Sequence, residues 1–355
     1  MTVAGRPSLM DINAALRLFE VGDYLAPYAI RAVCLLGIAD RLAAGPMAVS
    51  DLAATTGTDL RSLRKIVRYL STRGVFELID DDRVELTAMG DLLRADHPYS
   101  AREVFLSPVA CSRAMEGMDH AVRTGQPAFD AVHRRSFWDH LAENPEDGSS
   151  FDRVMGGVTS LEFAAAVRAT GWARFATVVD VGGGNGSFLA RLLTRFRNMR
   201  GTVFDRPEVI CQAGSVFADA GVADRAAAVG GSFLTGPVPP GADAYVLKRI
   251  LYSWNDQAAA TILGVIRAAM RPDSRLFIME AGRSESNQGD GRSTAESQAA
   301  ADGLQSRLDL LMLTLSGGGA RSLTEQTELL ASAGLSLVGC THTVMYPVLE
   351  AAPVG

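Results

Sequence analysis

A run of glycines between two acidic residues marks the stretch of this sequence best suited to binding a ligand. An apolar segment containing Asp180 leads into Gly182 and Gly184, and Asp205 ends the next apolar segment. Glycines after a strand let the backbone approach a ligand closely and leave helix N-terminal N–H groups available. An acid beside such a turn repels a pyrophosphate but can bind an ammonium group, and an acid ending the next strand can accept from ribose hydroxyls. The pattern favours a cationic nucleoside without phosphates over a dinucleotide.

A second candidate site lies in the segment ILYSWNDQ at residues 250–257. The phenol of Tyr252 has an ordinary pKa near 10 and is protonated at neutral pH. To act as a general base it would need a pKa about three units lower, which corresponds to about 4 kcal/mol. We therefore predict that Tyr252 donates a hydrogen bond or packs against a substrate. Glu280, in LFIMEAG, is either the base itself or a carboxylate satisfied by backbone N–H groups.

The elements that must hold these residues alternate between strand and helix from residue 177 onward. Such alternation predicts an α/β domain with a doubly wound parallel sheet covered on both faces. The predicted strands are 177–182, 200–205, 226–233, 243–250 and 275–281, with two more in the last twenty residues. The polar, small-residue stretch 282–303 is predicted to be a surface loop, with a mobile lid as the alternative.

The first hundred residues predict a helical domain. Residues 48–88 give two helices, a turn between them and a hairpin with an acidic turn, which together describe a winged helix. The basic side chains of its second helix could contact phosphates, so a DNA-binding role is one interpretation. The other is a solvated helix face in a domain used for dimerisation. We favour dimerisation, because the chain carries a formal net charge of −6.

Composition narrows the class of protein further. A chain of 355 residues with 48% hydrophobic and 21% charged residues is ordinary for a globular protein of two domains. Its four cysteines are far apart and its five histidines lack metal-ligand spacing, so neither disulfides nor a metal site is expected. Without an apolar membrane span or a signal-like N-terminus, we expect a cytoplasmic protein.

Several motifs taken together resemble the S-adenosylmethionine-dependent O-methyltransferases of the caffeate and acetylserotonin type. They are AVRTGQPAFDAVH, DVGGGNGSF, FDRPEVI, LKRILYSWND and RSLTEQTELLASAGL, and the likeness covers nearly the whole chain. The resemblance implies a Rossmann-like cofactor domain, a winged-helix domain that forms a homodimer and a small-molecule substrate. By the same resemblance Gly182 lines the methionine end of the cofactor, Asp205 holds its ribose, Ser232 and Phe233 lie beside its adenine, and Lys248 contacts it.

Four positions depart from the family pattern, and one of them is Ser253, where the family usually has Asp. The resemblance places Tyr252 where plant-type members have a catalytic His, and Ala320 where a glutamate helps to orient that His. Glu280 matches the other orienting glutamate. Ser232 replaces an Asp that accepts from the adenine amino group, and a Ser hydroxyl accepts without charge. We expect cofactor binding to survive and general-base help to be weak.

The remaining expectations concern substrate contacts and domain limits. Helices from residues 100–160 should roof the carboxyl ends of the strands. Candidate substrate-wall residues are Trp138, Phe151, Met155, Asp309 and Met312; His133 is expected to be structural. The predicted division is a winged-helix dimerisation domain at 1–100, a helical covering region at 101–170 and the cofactor domain at 171–355.

Three functions follow from this pattern. The first is methyl transfer to a small aromatic or polyketide-like secondary metabolite, mostly by proximity and orientation. The second is an enzyme that binds the cofactor but does not transfer its methyl group, as in hydroxylase-, decarboxylase- or pericyclic-type tailoring enzymes. The third is a DNA-binding regulator that senses the cofactor. This function requires nucleic-acid binding, which we do not expect.

Overall fold

A computed structural model describes residues 9–80, 82–283, 295–343 and 346–355. The chain divides into two compact units, Met1–Ser107 and Pro108–Gly355. Each unit has its own apolar core. Among the described helices, none combines the length and the apolar character that crossing a bilayer requires.

The first unit contains the predicted winged helix. Asp59 caps the second of its two helices by accepting from the backbone N–H of Ser62 at 2.9 Å, and that helix buries Leu63, Val67 and Leu70. The following hairpin carries a short third strand on its outer edge. The described elements are α1 (Leu9–Val21), α2 (Leu25–Leu35), α3 (Ile38–Leu42), β1 (Met47–Ala48), α4 (Val49–Thr56), α5 (Leu60–Ser71), β2 (Phe76–Leu78), β3 (Arg83–Leu86), α6 (Ala88–Asp91) and α7 (Arg102–Phe105).

Two surfaces of this unit bear on its role. Helix α1 and the start of α2 expose large apolar side chains, including Phe19 at 76%, Val21 at 85% and Tyr24 at 75%. Contiguous apolar surface of this kind is typical of a protein–protein interface. The basic face of α5 is partly neutralised, since Arg64 forms an ion pair with Asp82 at 2.6 Å.

The second unit is built on a seven-stranded sheet. Its strand order is β11-β12-β8-β7-β4-β5-β6; β12 runs antiparallel to both of its neighbours and the other pairings are parallel. The main strands are β4 (Thr177–Val181), β5 (Arg200–Asp205), β6 (Ala226–Gly230), β7 (Ala244–Lys248), β8 (Arg275–Met279), β11 (Leu335–Thr341) and β12 (Val348–Pro353). A separate parallel pair joins β9 (Gly282–Arg283) to β10 (Arg321–Ser322). The doubly wound sheet predicted from the alternating pattern is confirmed.

Helices cover both faces of this sheet. Alternate residues of β4 point to opposite sides, so that Val179 and Val181 enter one apolar layer and Val178 enters the other. The helices are α8 (Val109–Ala114), α9 (Met118–Thr124), α10 (Ala128–His133), α11 (Phe137–Glu143), α12 (Pro145–Ala169), α13 (Ser187–Arg195), α14 (Pro207–Ile210), α15 (Ala213–Asp219), α16 (Asp256–Ala269), α17 (Ala295–Leu315) and α18 (Leu323–Ser332).

The predicted loop at 282–303 is wrong over part of its length. Residues 282–283 form strand β9, and residues 295–303 form the first turns of α17. The sequence AESQAAADG contains four Ala, one Glu and one Gln, which are strong helix formers, and this propensity outweighs the polar character that suggested a loop. Residues 284–294 lie outside the described part of the chain.

Candidate active site

The glycine-rich turn follows β4 directly and opens into α13. Gly182, Gly184 and Gly186 have φ values of 70°, 62° and 79°, a region that favours glycine. The N–H of Gly182 donates to the carbonyl of Phe204 at 2.7 Å, which ties the turn to the next strand. A Cβ on Gly182 would overlap the side chain of Ile250, so the turn lies against the second candidate segment.

Asp205 ends β5 with its carboxylate held in one orientation. Oδ2 accepts from the N–H of Gly184 at 2.9 Å, and Oδ1 accepts from the N–H of Arg206 at 2.8 Å. Burial raises the pKa of this carboxyl, and the two backbone N–H groups oppose the rise. Each oxygen keeps a second lone pair, so the group can accept from two vicinal hydroxyls. This geometry suits a ribose.

Asp180 lies beneath the turn rather than on its surface. Its side chain is 1% exposed, and a Cβ on Gly183 would come within 2.6 Å of its carboxyl group. Burial raises the pKa of Asp180 to about 7, while the positive charge of Lys248 acts in the opposite direction. The Lys248 ammonium lies 5.9 Å from the centre of the Phe188 ring. A direct contact between Asp180 and a cofactor ammonium group stays a prediction.

Ser232 and Phe233 lie where β6 leaves the sheet. The Ser232 hydroxyl accepts from the backbone N–H of Leu234 at 3.2 Å, so it already serves a local turn. Phe233 meets the ring of Trp254 edge-to-face, with centroids 5.9 Å apart. Trp254 in turn stacks on Trp138 at 5.9 Å with an interplanar angle of 18°. The aromatic residues therefore join the predicted adenine side to helix α11.

Tyr252 sits on a 3₁₀ turn, Leu251–Ser253, and is 8% exposed. Its backbone N–H donates to Oε2 of Glu280 at 3.1 Å, and Oε1 of Glu280 accepts from the side-chain amide of Gln326 at 2.9 Å. Burial raises the pKa of Glu280, and the bond from the Tyr252 N–H is the largest opposing influence. Both oxygens of this carboxyl group are thus engaged, one by the backbone of the turn and the other by Gln326 of α18.

Helix α17 and the glycine-rich loop after it pack on the same turn. The Ser253 hydroxyl lies 3.6 Å from the sulfur of Met312. Asp309 accepts from the backbone N–H of Ala320, the position at which the resemblance expects a glutamate. A Cβ on Gly318 would overlap the carbonyl of Tyr252, so only glycine permits this approach. Asp309 and Met312 therefore border the turn that carries Tyr252.

The other predicted wall residues lie on α11 and α12. Trp138 and Phe151 meet edge-to-face with centroids 5.8 Å apart. The carbonyl of Met155 accepts from the Arg249 guanidinium at 2.8 Å. His133 instead binds the carbonyl of Ala110 at 3.0 Å, away from the turn, as expected for a structural residue.

Sequence analysis missed several residues that complete this region. Arg206 donates to the carbonyl of Trp138 at 3.1 Å, and burial together with the charge of Asp205 raises the pKa of Asp152 to about 6. Arg321 donates to the carbonyls of Leu251 and Trp254. The motifs LYSWND, FDRPEVI and RSLTEQTELLASAGL contain Trp254, Arg206 and Arg321, but they gave no sign of these contacts, and no quoted motif contains Asp152. Among the described residues, no group of three or more potential metal ligands is found.

The geometry fits S-adenosylmethionine. An open glycine turn, a carboxylate suited to a ribose diol and an aromatic edge for a purine line the carboxyl ends of adjacent strands. The family model described as an O-methyltransferase domain matches residues 116–336, and an O-methyltransferase dimerisation domain matches residues 8–96.

Known proteins are similar over nearly the whole chain. The 2,7-dihydroxy-5-methyl-1-naphthoate 7-O-methyltransferase of Streptomyces carzinostaticus is 34% identical, over 94% of this chain and 96% of the relative. The aclacinomycin 10-hydroxylase RdmB of Streptomyces purpurascens is also 34% identical, over 93% and 86%. Among solved structures, an O-methyltransferase from neocarzinostatin biosynthesis, in complex with S-adenosylmethionine and 2-hydroxy-5-methyl naphthoic acid, is 32% identical with a TM-score of 0.81, over 95% of this chain and 98% of that one. The chain belongs to the O-methyltransferase family and is an S-adenosylmethionine-dependent methyltransferase.

Proposed function

We propose that this enzyme methylates a hydroxyl group of a small aromatic or polyketide-like secondary metabolite, mainly through proximity and orientation. One observation carries the mechanistic part of the proposal: both oxygens of Glu280 are engaged by the Tyr252 backbone and by Gln326. This carboxyl group is also only 3% exposed, so we assign it to holding the turn and not to taking a substrate proton. The matched glutamate therefore acts through the backbone of Tyr252.

The residues divide into two sets by what they do. Asp205 and the glycine turn hold the cofactor, with Phe233 and Trp254 beside its adenine; Lys248 and Asp180 support the turn from beneath. When bound, S-adenosylmethionine supplies an electrophilic methyl group on a sulfonium. Tyr252 donates a hydrogen bond to the acceptor molecule or packs against it, and Trp138, Phe151, Met155, Asp309 and Met312 form its walls. Orientation by such walls can supply several kcal/mol, about 7–11 in the best cases.

The acceptor class follows from the relatives and from the character of the walls. Similar proteins are named as a naphthoate O-methyltransferase, a phenazine O-methyltransferase and an O-methyltransferase of mitomycin biosynthesis, and both naphthoate and phenazine are fused aromatic rings. Trp138 and Phe151 give this chain flat apolar surfaces that suit such rings. An acidic phenol needs little help with its proton, which matches a site that lacks the family's His.

The direct test is to incubate the purified protein with S-adenosylmethionine and a panel of hydroxylated acceptors. The panel should include 2-hydroxy-5-methyl naphthoic acid and 1,4-dihydroxy-2-naphthoic acid, which are bound in structures of relatives. Formation of S-adenosylhomocysteine together with a product heavier by one methyl group supports the proposal. Absence of both, from a protein shown by calorimetry to bind the cofactor, contradicts it.

A second candidate is a tailoring enzyme that binds the cofactor without transferring its methyl group. The similarity to aclacinomycin 10-hydroxylase favours it, as do the altered residues Tyr252 and Ala320. Substrate turnover that requires S-adenosylmethionine but leaves it intact would support this function. Stoichiometric formation of S-adenosylhomocysteine would exclude it.

We also propose that the enzyme is a cytoplasmic homodimer that does not bind nucleic acid. The exposed apolar residues of α1 and α2 lie within the segment matched by the dimerisation domain, and a second copy would cover them. Sedimentation that gives twice the mass of the chain is the expected result. A titration with duplex DNA that shows salt-dependent affinity would contradict the proposal that the enzyme does not bind nucleic acid.

A further inference from the structure

We propose that Arg321 is a positioning residue whose guanidinium fixes the turn that carries Tyr252 and Trp254, and through that turn both the acceptor side and the cofactor side of the site. The inference deepens the proposed function, on which its catalytic meaning rests. Arg321 itself touches no reacting atom in this account. It acts through the backbone of residues 251–254.

The contacts of Arg321 converge on this turn. Nη1 donates to the carbonyl of Leu251 at 2.9 Å, and Nη2 donates to the carbonyl of Trp254 at 2.8 Å. Nε donates to Asp256 at 2.9 Å, at the start of α16. The Arg321 side chain is 7% exposed, whereas that of Asp256 is 88% exposed. All three nitrogens of this nearly buried guanidinium thus donate hydrogen bonds to one segment of six residues, 251–256.

Glu280 holds the same turn through the opposite kind of group. Arg321 supplies donors to two carbonyls, and Glu280 accepts from the N–H of Tyr252 that lies between them. The parallel pairing of Gly282 with Arg321 brings the two charged residues together from distant parts of the chain. Their charges interact favourably, since Arg321 opposes the rise that burial causes in the pKa of Glu280. A 3₁₀ turn of three residues has few bonds of its own, so these side chains define its position.

A lysine cannot reproduce this arrangement. The guanidinium presents its donors in a rigid planar fork, whereas an ammonium group is a single point of charge on a flexible stem. Loss of the fork would free the carbonyls of Leu251 and Trp254 in a poorly exposed place, and the turn would shift to satisfy them. A shifted turn moves Trp254 away from Trp138 and from the adenine side at the same time.

The stack of Trp138 on Trp254 provides a readout that needs no acceptor. Two tryptophans 5.9 Å apart at 18° give a coupled signal in circular dichroism, and Trp254→Phe defines the spectrum without it. The experiment compares wild type, Arg321→Lys and Arg321→Met by this signal, by calorimetric titration with S-adenosylhomocysteine and by thermal unfolding. We expect both Arg321 variants to lose the coupled signal and to bind S-adenosylhomocysteine at least tenfold more weakly.

Arg225→Lys is the matched control. Arg225 also donates to backbone carbonyls, those of Met199 at 2.9 Å and Leu193 at 3.1 Å, but at the other side of the sheet. Arg225→Lys should lose thermal stability without losing the tryptophan signal or the affinity. Should Arg321→Lys and Arg321→Met both fail to fold, Asp256→Ala removes the side-chain acceptor of Nε and should reduce the signal.

The results separate this inference from the proposed function. A wild-type tryptophan signal and affinity in a folded Arg321→Lys, or in Asp256→Ala if that variant is needed, would overturn the positioning role. Equal losses in Arg225→Lys would overturn it too, since they would reflect stability alone. Failure of the wild type to consume S-adenosylmethionine with any acceptor would sink the proposed function, yet it would leave these cofactor and spectroscopic results unchanged.

Discussion

Gly183 closes over the carboxyl group of Asp180, so that a Cβ on the glycine would lie 2.6 Å from the carboxyl carbon and from one of its oxygens. The same Cβ would lie 2.7 Å from a methyl group of Val203. Asp180 and Val203, on neighbouring strands, thus leave room for no side chain larger than a hydrogen atom at position 183. The shape of the cofactor turn depends on this contact from below.

Gly183→Ala should therefore damage the cofactor site. Overpacking of this kind costs about 1–3 kcal/mol of unfolding free energy, and a displaced turn should weaken S-adenosylhomocysteine binding at least tenfold. Calorimetry and thermal unfolding measure the two effects. Gly214→Ala is the control, because a Cβ at that helical position meets nothing within 4 Å. Ala is also a better helix former than Gly at position 214, so the control should fold normally. Wild-type affinity in Gly183→Ala would contradict the prediction.

Asp180→Asn should change how stability depends on pH. The pKa of Asp180 is about 7 in the folded protein and near 3.9 in the unfolded chain, so the folded state holds the proton more tightly. Its contribution to stability is complete below pH 4 and is lost as the pH rises toward 7, by about 2–4 kcal/mol. The Asn variant lacks this loss. Its free energy of unfolding, measured with denaturant, should therefore rise relative to that of the wild type between pH 4 and 7. Parallel profiles for the two proteins would refute the assignment; Asp224→Asn, at an exposed position, should follow the wild type.

Ser232→Asp should strengthen cofactor binding. A carboxylate accepts from an amino group about twice as strongly as a hydroxyl does, so we expect S-adenosylmethionine to bind roughly tenfold more tightly. Calorimetric titration measures this change. Ser215→Asp introduces the same charge on the exposed face of α15 and should leave the affinity unaltered. Unchanged or weaker binding in Ser232→Asp would show that the adenine lies elsewhere.

Tyr252→Phe should retain at least one tenth of the wild-type rate, because we assign Tyr252 no role as a base. General-base help adds typically 10²–10⁴-fold. The double variant Tyr252→His with Ala320→Glu should therefore be faster by about 10²-fold, with a rate that rises with pH around 6.5 as the imidazole loses its proton. Initial rates of S-adenosylhomocysteine formation between pH 5 and 9 measure both. A loss beyond a hundredfold in Tyr252→Phe would mean that the phenol takes part in the proton transfer.

Much of the fold could be predicted from the sequence. The strands that carry the cofactor site have strong apolar patterns, so their predicted positions agree with the structure to within a few residues. The winged helix was equally clear, because α5 has a regular apolar face. The start of α17 was missed, since its small polar residues resemble those of a loop.

The site was predicted less completely, for a physical reason. Asp205 and the glycine turn are local features of one strand–turn–helix unit. The clamp on Tyr252 depends on Glu280, Arg321 and Gln326, which are 28 or more residues away along the chain. Sequence analysis assigned Asp180 to a cofactor ammonium group, which stays a prediction, and only the structure shows its carboxyl group under the turn. Contacts of this kind arise from strand order and cannot be inferred from spacing.

The short pairing of β9 with β10 has a consequence for how this enzyme class can diversify. It joins residues 282–283 to residues 321–322, so that the two ends of the stretch between them, which includes α17, lie side by side. Arg321 lies in this pairing and Glu280 lies two residues before it, whereas the wall residues Asp309 and Met312 lie in the stretch between the two strands. We therefore expect that replacing this stretch with the equivalent stretch of a relative transfers the relative's preference among acceptor substrates. The affinity for the cofactor should stay that of the protein that receives the graft.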